Sequence, residues 1–249
     1  MTYEEHCAAL ETGTAAFAAT IQGTDPEAPV PGCEPWSMRD LVWHVGSLHR
    51  WVATIVGERW QERPPVRATD FPVPESAADH PQWILDGGAA VLKILRDADP
   101  DAPVWSWGAD RHVRFWPRRM RHETAIHHLD AGRTAGRPVT TDEATAVDGV
   151  DEFLTVLPMA RWAPGLAELR GDGERLAFRA TDASAAWVVT LGPEGFDWSR
   201  GHGAATVTVT STAADLYALL WGRLPTGDPR LAVEGDRALL DRWVVNSAI

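Results

Sequence analysis

The sequence predicts a helical N-terminal domain over residues 1–138, followed by a smaller α+β domain over residues 139–249. Three observations predict it. The first 137 residues hold four long stretches with apolar side chains at helical spacing. Beyond them the period shortens to strand-like alternation in several short runs. The length, 249 residues, divides into about 1.7 domains at roughly 150 residues each.

Each element has its own signal. Tyr3 to about Gln22 is Ala-rich and uninterrupted, with Leu10, Phe17 and Ile21 at helical spacing. Ser37 followed by Asp40 reads as an N-cap with a carboxylate at the third helical position, a capping-box arrangement. The helix it starts carries Leu41, His44, Val45, Leu48, Val52 and Ile55 on one face, with Pro64-Pro65 beyond its end. A third helix is expected from roughly Glu75 to Asp97. A fourth is expected from near Arg114 to Gly136, whose glycine ends it before Pro138. Four helices of this length suggest a bundle. After one more helix, about Asp142 to Leu157, strands are expected at 175–181, 187–191, 195–199 and 205–210. A helix over 215–221 and a last one from Gly235-Asp236 to Val245 complete a small α+β domain.

Composition narrows the function classes. The chain is 45% apolar and 23% charged, ordinary for a globular protein. A formal charge of -12 repels phosphate backbones and anionic lipid, so neither nucleic acid nor a membrane surface is an expected partner. No run of 18 apolar residues is present to span a bilayer. Glu4 and Glu5 stand where an export signal carries positive charge, and Cys7 and Cys33 make no disulfide framework. The cytoplasm is the expected compartment. Lys93 is the one lysine among 23 basic residues, which leaves little room for lysine-based covalent chemistry.

The stretch Trp116 to Asp130 carries the most chemistry. It holds His122, Glu123, His127 and His128, yet it fails the zincin HExxH pattern because position 126 is Ile. On a helix, His122 and His127 diverge by about 140°, whereas Glu123 and His127 lie within about 40°. Positions 116, 120, 123, 127 and 130 form one packed seam. Trp116 and Met120 suit such a seam; an ionised glutamate costs several kcal/mol there unless paired or bound to a cation. The second helix repeats the anomaly with His44 between Leu41 and Leu48. A His44–Glu123–His127 metal site follows, with an open position of the catalytic kind, zinc being the first candidate and iron or manganese alternatives. Plainer readings stand beside it: His44 as a satisfied core histidine, and Glu123–His127 as a hydrogen bond along the helix. His49 and His6 compete as third ligands, while His122 and His128 point to the surface or a helix contact. Asp130 either orients a ligand imidazole or pairs with Arg133.

The stretch Trp36-Ser-Met-Arg-Asp-Leu-Val-Trp-His44-Val-Gly resembles the W-(S/T)-x-x-(D/E)-L-x-x-H-(L/V)-(G/A) signature of the DinB-like superfamily. Arg118 to Ala131, with Gly136 after it, resembles the mycothiol-dependent maleylpyruvate isomerase branch of that superfamily. Asp215 to Leu224 and Val233 to Asp236 resemble its C-terminal domain, related to sterol-carrier-like α+β folds. The resemblance implies a DinB-like four-helix bundle holding a divalent metal, zinc first, through His44, Glu123 and His127. It implies mycothiol as co-substrate, and so an actinobacterial source, with which the arginine-rich composition is compatible. It also implies an active-site arginine from the C-terminal domain, for which Arg223 is the best-fitting position. The plainer role for Arg223 is compensation of a helix C-terminus.

A metal-bound thiol loses its proton near neutral pH, and the thiolate attacks an electrophilic carbon. On a conjugated cis-enone acid, addition followed by elimination gives cis–trans isomerisation; with a leaving group or epoxide, the result is S-transfer. A thiol-independent metal-hydroxide hydrolase and a non-catalytic ligand-binding module are the alternatives. Trp43, Trp51, Trp105, Trp107 and Trp116 either line an apolar pocket or pack the core. Neither cysteine is a sequence neighbour of the candidate ligands, which favours a borrowed thiol as nucleophile.

Overall fold

In the computed structural model, which describes residues 1–64 and 71–249, the chain forms two units, Met1–Thr140 and Thr141–Ile249. Pro65 of the expected break after the second helix lies outside the described residues.

The first unit is built from α1 (Tyr3–Ile21), α2 (Met38–Gly57), α3 (His80–Asp97) and α4 (Phe115–Thr134). Thr2 and Glu5 form a capping box at the start of α1, so the acidic N-terminal pair complements a helix dipole. Ser37 and Asp40 do the same for α2, with Ser37 N–H donating to Asp40 Oδ2 at 2.8 Å. The third helix begins five residues later than expected, because a 3-10 turn at Ala77–Asp79 precedes it and Pro81 favours the first helical turn. At the end of α4, Gly136 takes φ +64°. Its N–H donates to Arg133 O, and Arg137 N–H reaches Gly132 O at 2.8 Å, a Schellman closure.

The helices form a ring in which α1 packs against α3 and α4, and α2 against the same two. Two apolar clusters fill it. Leu10, Val52, Ile55, Val91, Leu95, Trp116 and Met120 belong to one; Phe17, Met38, Leu41, Val45, Ile84 and Ala131 belong to the other. Along α4, the polar residues Glu123, Thr124 and His127 fall between these clusters, while on α2 His44 stands among the second cluster's Leu41, Val42 and Val45 and His49 follows it. The close approach of α2 to α3 depends on Gly46: a Cβ there would lie 2.0 Å from the Trp83 ring.

The second unit begins with α5 (Glu143–Val156), capped by Asp142. Its sheet holds β1 (Arg175–Ala180), β2 (Ala186–Gly192), β3 (Gly195–Arg200), β4 (Val207–Ser211) and β5 (Ala232–Gly235), in the order β3-β2-β1-β4-β5. Neighbours are antiparallel except β1 and β4, which run parallel with Phe178 opposite Val209. Helices α6 (Ala213–Leu220) and α7 (Arg237–Asn246) pack with the sheet, α6 contacting α5 as well. Strand β5 was not expected from the sequence. It is four residues long and mostly exposed, so it carries no apolar alternation and is defined by pairing with β4.

Candidate metal centre

Helices α2 and α4 bring His44, Glu123 and His127 together. His44 Nε2 lies 2.9 Å and His127 Nε2 3.3 Å from the same carboxylate oxygen, Glu123 Oε1. One donor atom from each residue fits within a 4.8 Å span. Donors held about 2.0–2.1 Å from a tetrahedral zinc ion stand roughly 3.3 Å apart, so two imidazoles and this carboxylate have the chemistry and spacing of a divalent-metal set. The His44 and His127 rings meet edge to face at 4.8 Å. Trp36, just before the α2 cap, packs on His44 at 4.7 Å and on His127 at 6.0 Å. The side chains of His44 and Glu123 keep 25% and 18% exposure, so the group is not sealed in the core.

Supporting residues hold the three in place. Asp130 Oδ2 lies 2.9 Å from His127 Nδ1, which leaves Nε2 turned toward Glu123. The buried Arg119 guanidinium donates to the other oxygen, Glu123 Oε2, at 2.5 Å. Burial alone would raise the Glu123 carboxyl, but Arg119 and the two histidine contacts outweigh it and hold it well below the ordinary range. Burial works against a charged His127, yet the hydrogen bonds to Asp130 and Glu123 prevail and raise it.

The other candidates separate cleanly. His49 bonds Thr124 Oγ1 at 3.0 Å, and burial with nearby Arg50 pushes it down to about 4, so it is a neutral core residue. His6 is buried beside Arg121. His128 bonds Thr20 on α1, and His122 is fully buried, so both serve helix contacts rather than the surface. Trp43 and Trp51 line a cavity, whereas Trp116 is core and Trp105 and Trp107 pack against it. Arg223 follows α6 in the second unit: Gly222 at φ +71° ends the helix, and Arg223 donates its N–H to Ala218 O and Nη1 to Trp221 O.

Two contributors went unnoticed in the sequence. Arg119 was detectable, since it lies one helical turn before Glu123. Cys33 was not: its thiol donates to Asp130 Oδ2 at 3.4 Å from 97 positions away. With His127 and Asp130 it forms a second group of potential metal donors. The fold therefore brings a protein cysteine next to the candidate centre, which sequence adjacency alone did not suggest.

A helical bundle in which two imidazoles and a carboxylate converge from two helices presents the donor chemistry that divalent cations take in bundle proteins. Residues 7–132 match the mycothiol maleylpyruvate isomerase N-terminal domain, and residues 144–242 match the MDMPI C-terminal domain. The chain belongs to the mycothiol-dependent maleylpyruvate isomerase family, a family of enzymes. The crystal structure of the mycothiol-dependent maleylpyruvate isomerase is similar at a TM-score of 0.60 and 14% identity, covering 94% of this chain and 93% of that one. A histidine-to-alanine mutant of the same enzyme matches at 0.59 and 15% identity with the same coverage. No curated protein matches the sequence. No helix among the described residues is long and apolar enough to cross a membrane.

Proposed function

We propose that the protein is a divalent-metal-dependent enzyme that uses mycothiol as thiol co-substrate and isomerises a small electrophilic cis-unsaturated acid of the maleylpyruvate type. The observation that carries this reading is the convergence of His44 Nε2 and His127 Nε2 on one oxygen of Glu123. His44, Glu123 and His127 are the residues that would hold the ion, with zinc the leading candidate. When bound, the ion supplies the positive charge that favours thiolate over thiol near neutral pH.

The chain's own groups do the rest. Arg119 keeps Glu123 ionised, and Asp130 fixes which His127 nitrogen is offered. The thiolate sulfur bonds to the electrophilic carbon as the conjugated double bond shifts its electrons toward the carbonyl. Rotation about the resulting single bond and expulsion of the thiolate then give the trans product. Arg223 is assigned a substrate or thiol carboxylate, which a guanidinium can hold through two parallel hydrogen bonds. Neither cysteine forms a disulfide, which suits a reducing cytoplasm.

The test is elemental analysis of the purified protein, followed by assays of cis-unsaturated acids with and without mycothiol. The reading expects about one equivalent of metal, its loss in His127→Ala, and turnover only with thiol. Turnover without thiol would replace it with a hydrolase, and a thiol adduct as sole product would replace isomerisation with S-transfer.

A further inference from the structure

One cavity in the first unit is not used by the ligand set, although it touches it. It measures about 180 Å³ and is lined by Trp43, His44, Ser47, Leu48, Trp51 and Arg63. Residues 44, 47, 48 and 51 form one face of α2, so the cavity runs along that helix from the candidate metal ligand. Its volume is below the roughly 300–1,000 Å³ of sites for drug-sized ligands, which limits it to a small molecule.

The lining is chemically uneven. Two indoles and a leucine make an apolar wall, and among the described residues no acidic side chain lines it. Trp43 is 43% exposed, an unusual state for a tryptophan on a helix whose other large apolar residues are half-buried or buried. Trp51 is fixed from behind by Trp105 and Trp116, at ring distances of 5.4 and 5.9 Å. Ser47 Oγ and Trp51 Nε1 are buried with no hydrogen-bond partner among the described residues. Among the described residues, Arg63 is the cation of the lining, in a chain whose overall charge is strongly negative.

From these features we infer that the cavity is a recognition site for a small, flat, unsaturated or aromatic carboxylic acid. Arg63 holds the carboxylate, and the Trp43–Trp51 wall packs against the π-system beside His44. The inference rests on the proposed function, which makes that acid the electrophile, and it narrows the substrate class to acids with a planar apolar frame.

Benzoate is a suitable probe, with neutral benzamide as the control. Calorimetric titration of the zinc-loaded protein should show benzoate binding and benzamide at least tenfold weaker. Arg63→Met should weaken benzoate about tenfold at unchanged zinc content. Trp43→Ala should weaken both probes, and since Trp43 is exposed its removal leaves the bundle core intact. Equal affinities for acid and amide, or an Arg63→Met protein that binds benzoate as wild type does, would overturn the site. Arg63-dependent benzoate binding by wild-type protein that takes up no zinc would uphold this site while overturning the proposed metal chemistry.

Discussion

Arg119 and Glu123 divide a carboxylate between two tasks. Arg119 takes Oε2 at 2.5 Å, and Oε1 remains for His44 and His127. The arginine is 2% exposed, and Glu123 is one of the partners of its charge. Removing one member of a buried ion pair strands the other, a loss of roughly 3–5 kcal/mol in well-buried cases. Glu123 keeps some solvent access, so Arg119→Met should destabilise the metal-free protein by about 2 kcal/mol. Urea unfolding measures it. A midpoint unchanged from wild type would remove Arg119 from the centre.

Asp130 touches no reacting atom, yet it fixes the orientation of His127 through Nδ1. Asp130→Asn should therefore lower zinc affinity by roughly 10–100-fold while retaining one site. Competition with a chromophoric chelator reads this directly. Wild-type affinity in the variant would reduce Asp130 to a packing role.

The metal-free protein should have a defined stability window in pH. Glu123 is depressed when folded, so its contribution is full above its ordinary pKa of 4.5 and lost as pH falls toward the folded value. His127 is raised, so its contribution is full below 6.5 and lost as pH rises through the folded value. Stability from this pair should therefore be greatest between those two pH values. Urea titrations of wild type and His127→Gln across acid to alkaline pH should give a difference that shrinks on the alkaline side. A constant difference would contradict the assignment.

Arg223 offers a clean separation of roles. If it holds a carboxylate, Arg223→Ala keeps full metal content and loses about tenfold or more in kcat/KM. Steady-state kinetics beside metal analysis decides the matter. Unchanged kinetics with a lowered Tm would leave Arg223 as the closing residue of α6, where its N–H and Nη1 already serve carbonyl groups.

Gly46→Ala sets local preference against packing. Alanine favours a helix over glycine by about 1 kcal/mol. Here the added carbon meets the Trp83 ring at 2.0 Å, and overpacking of this kind costs about 1–3 kcal/mol. The variant should be less stable than wild type by thermal unfolding, and a gain in Tm would show that α2 and α3 separate at no cost.

What the sequence disclosed follows the range of the forces involved. Ser37–Asp40 capping and the Glu123–His127 pairing span three and four residues, so helical geometry alone makes them readable. The placement of His44 on an inward face of α2 came from apolar periodicity. Cys33 beside Asp130, Trp36 over both imidazoles and the burial of His122 arise only when distant helices pack, and no local pattern encodes them. Strand β5 belongs with these, because a short exposed edge takes its conformation from its neighbour. The late start of α3 is different: Pro81 was a readable signal, outweighed by the helical look of the residues before it.

His44 and Glu123 sit 79 positions apart, on two different helices of the ring. An α2 segment alone offers one imidazole from the set, and α4 alone a carboxylate and one imidazole. On the proposed metal reading, ion capture would wait on tertiary assembly, and a half-formed bundle would have little means of scavenging zinc. Once captured, such an ion would add its binding energy to the assembled state alone. Occupancy would then report the fraction of chains that have completed their fold, a built-in quality check that chelation would erase.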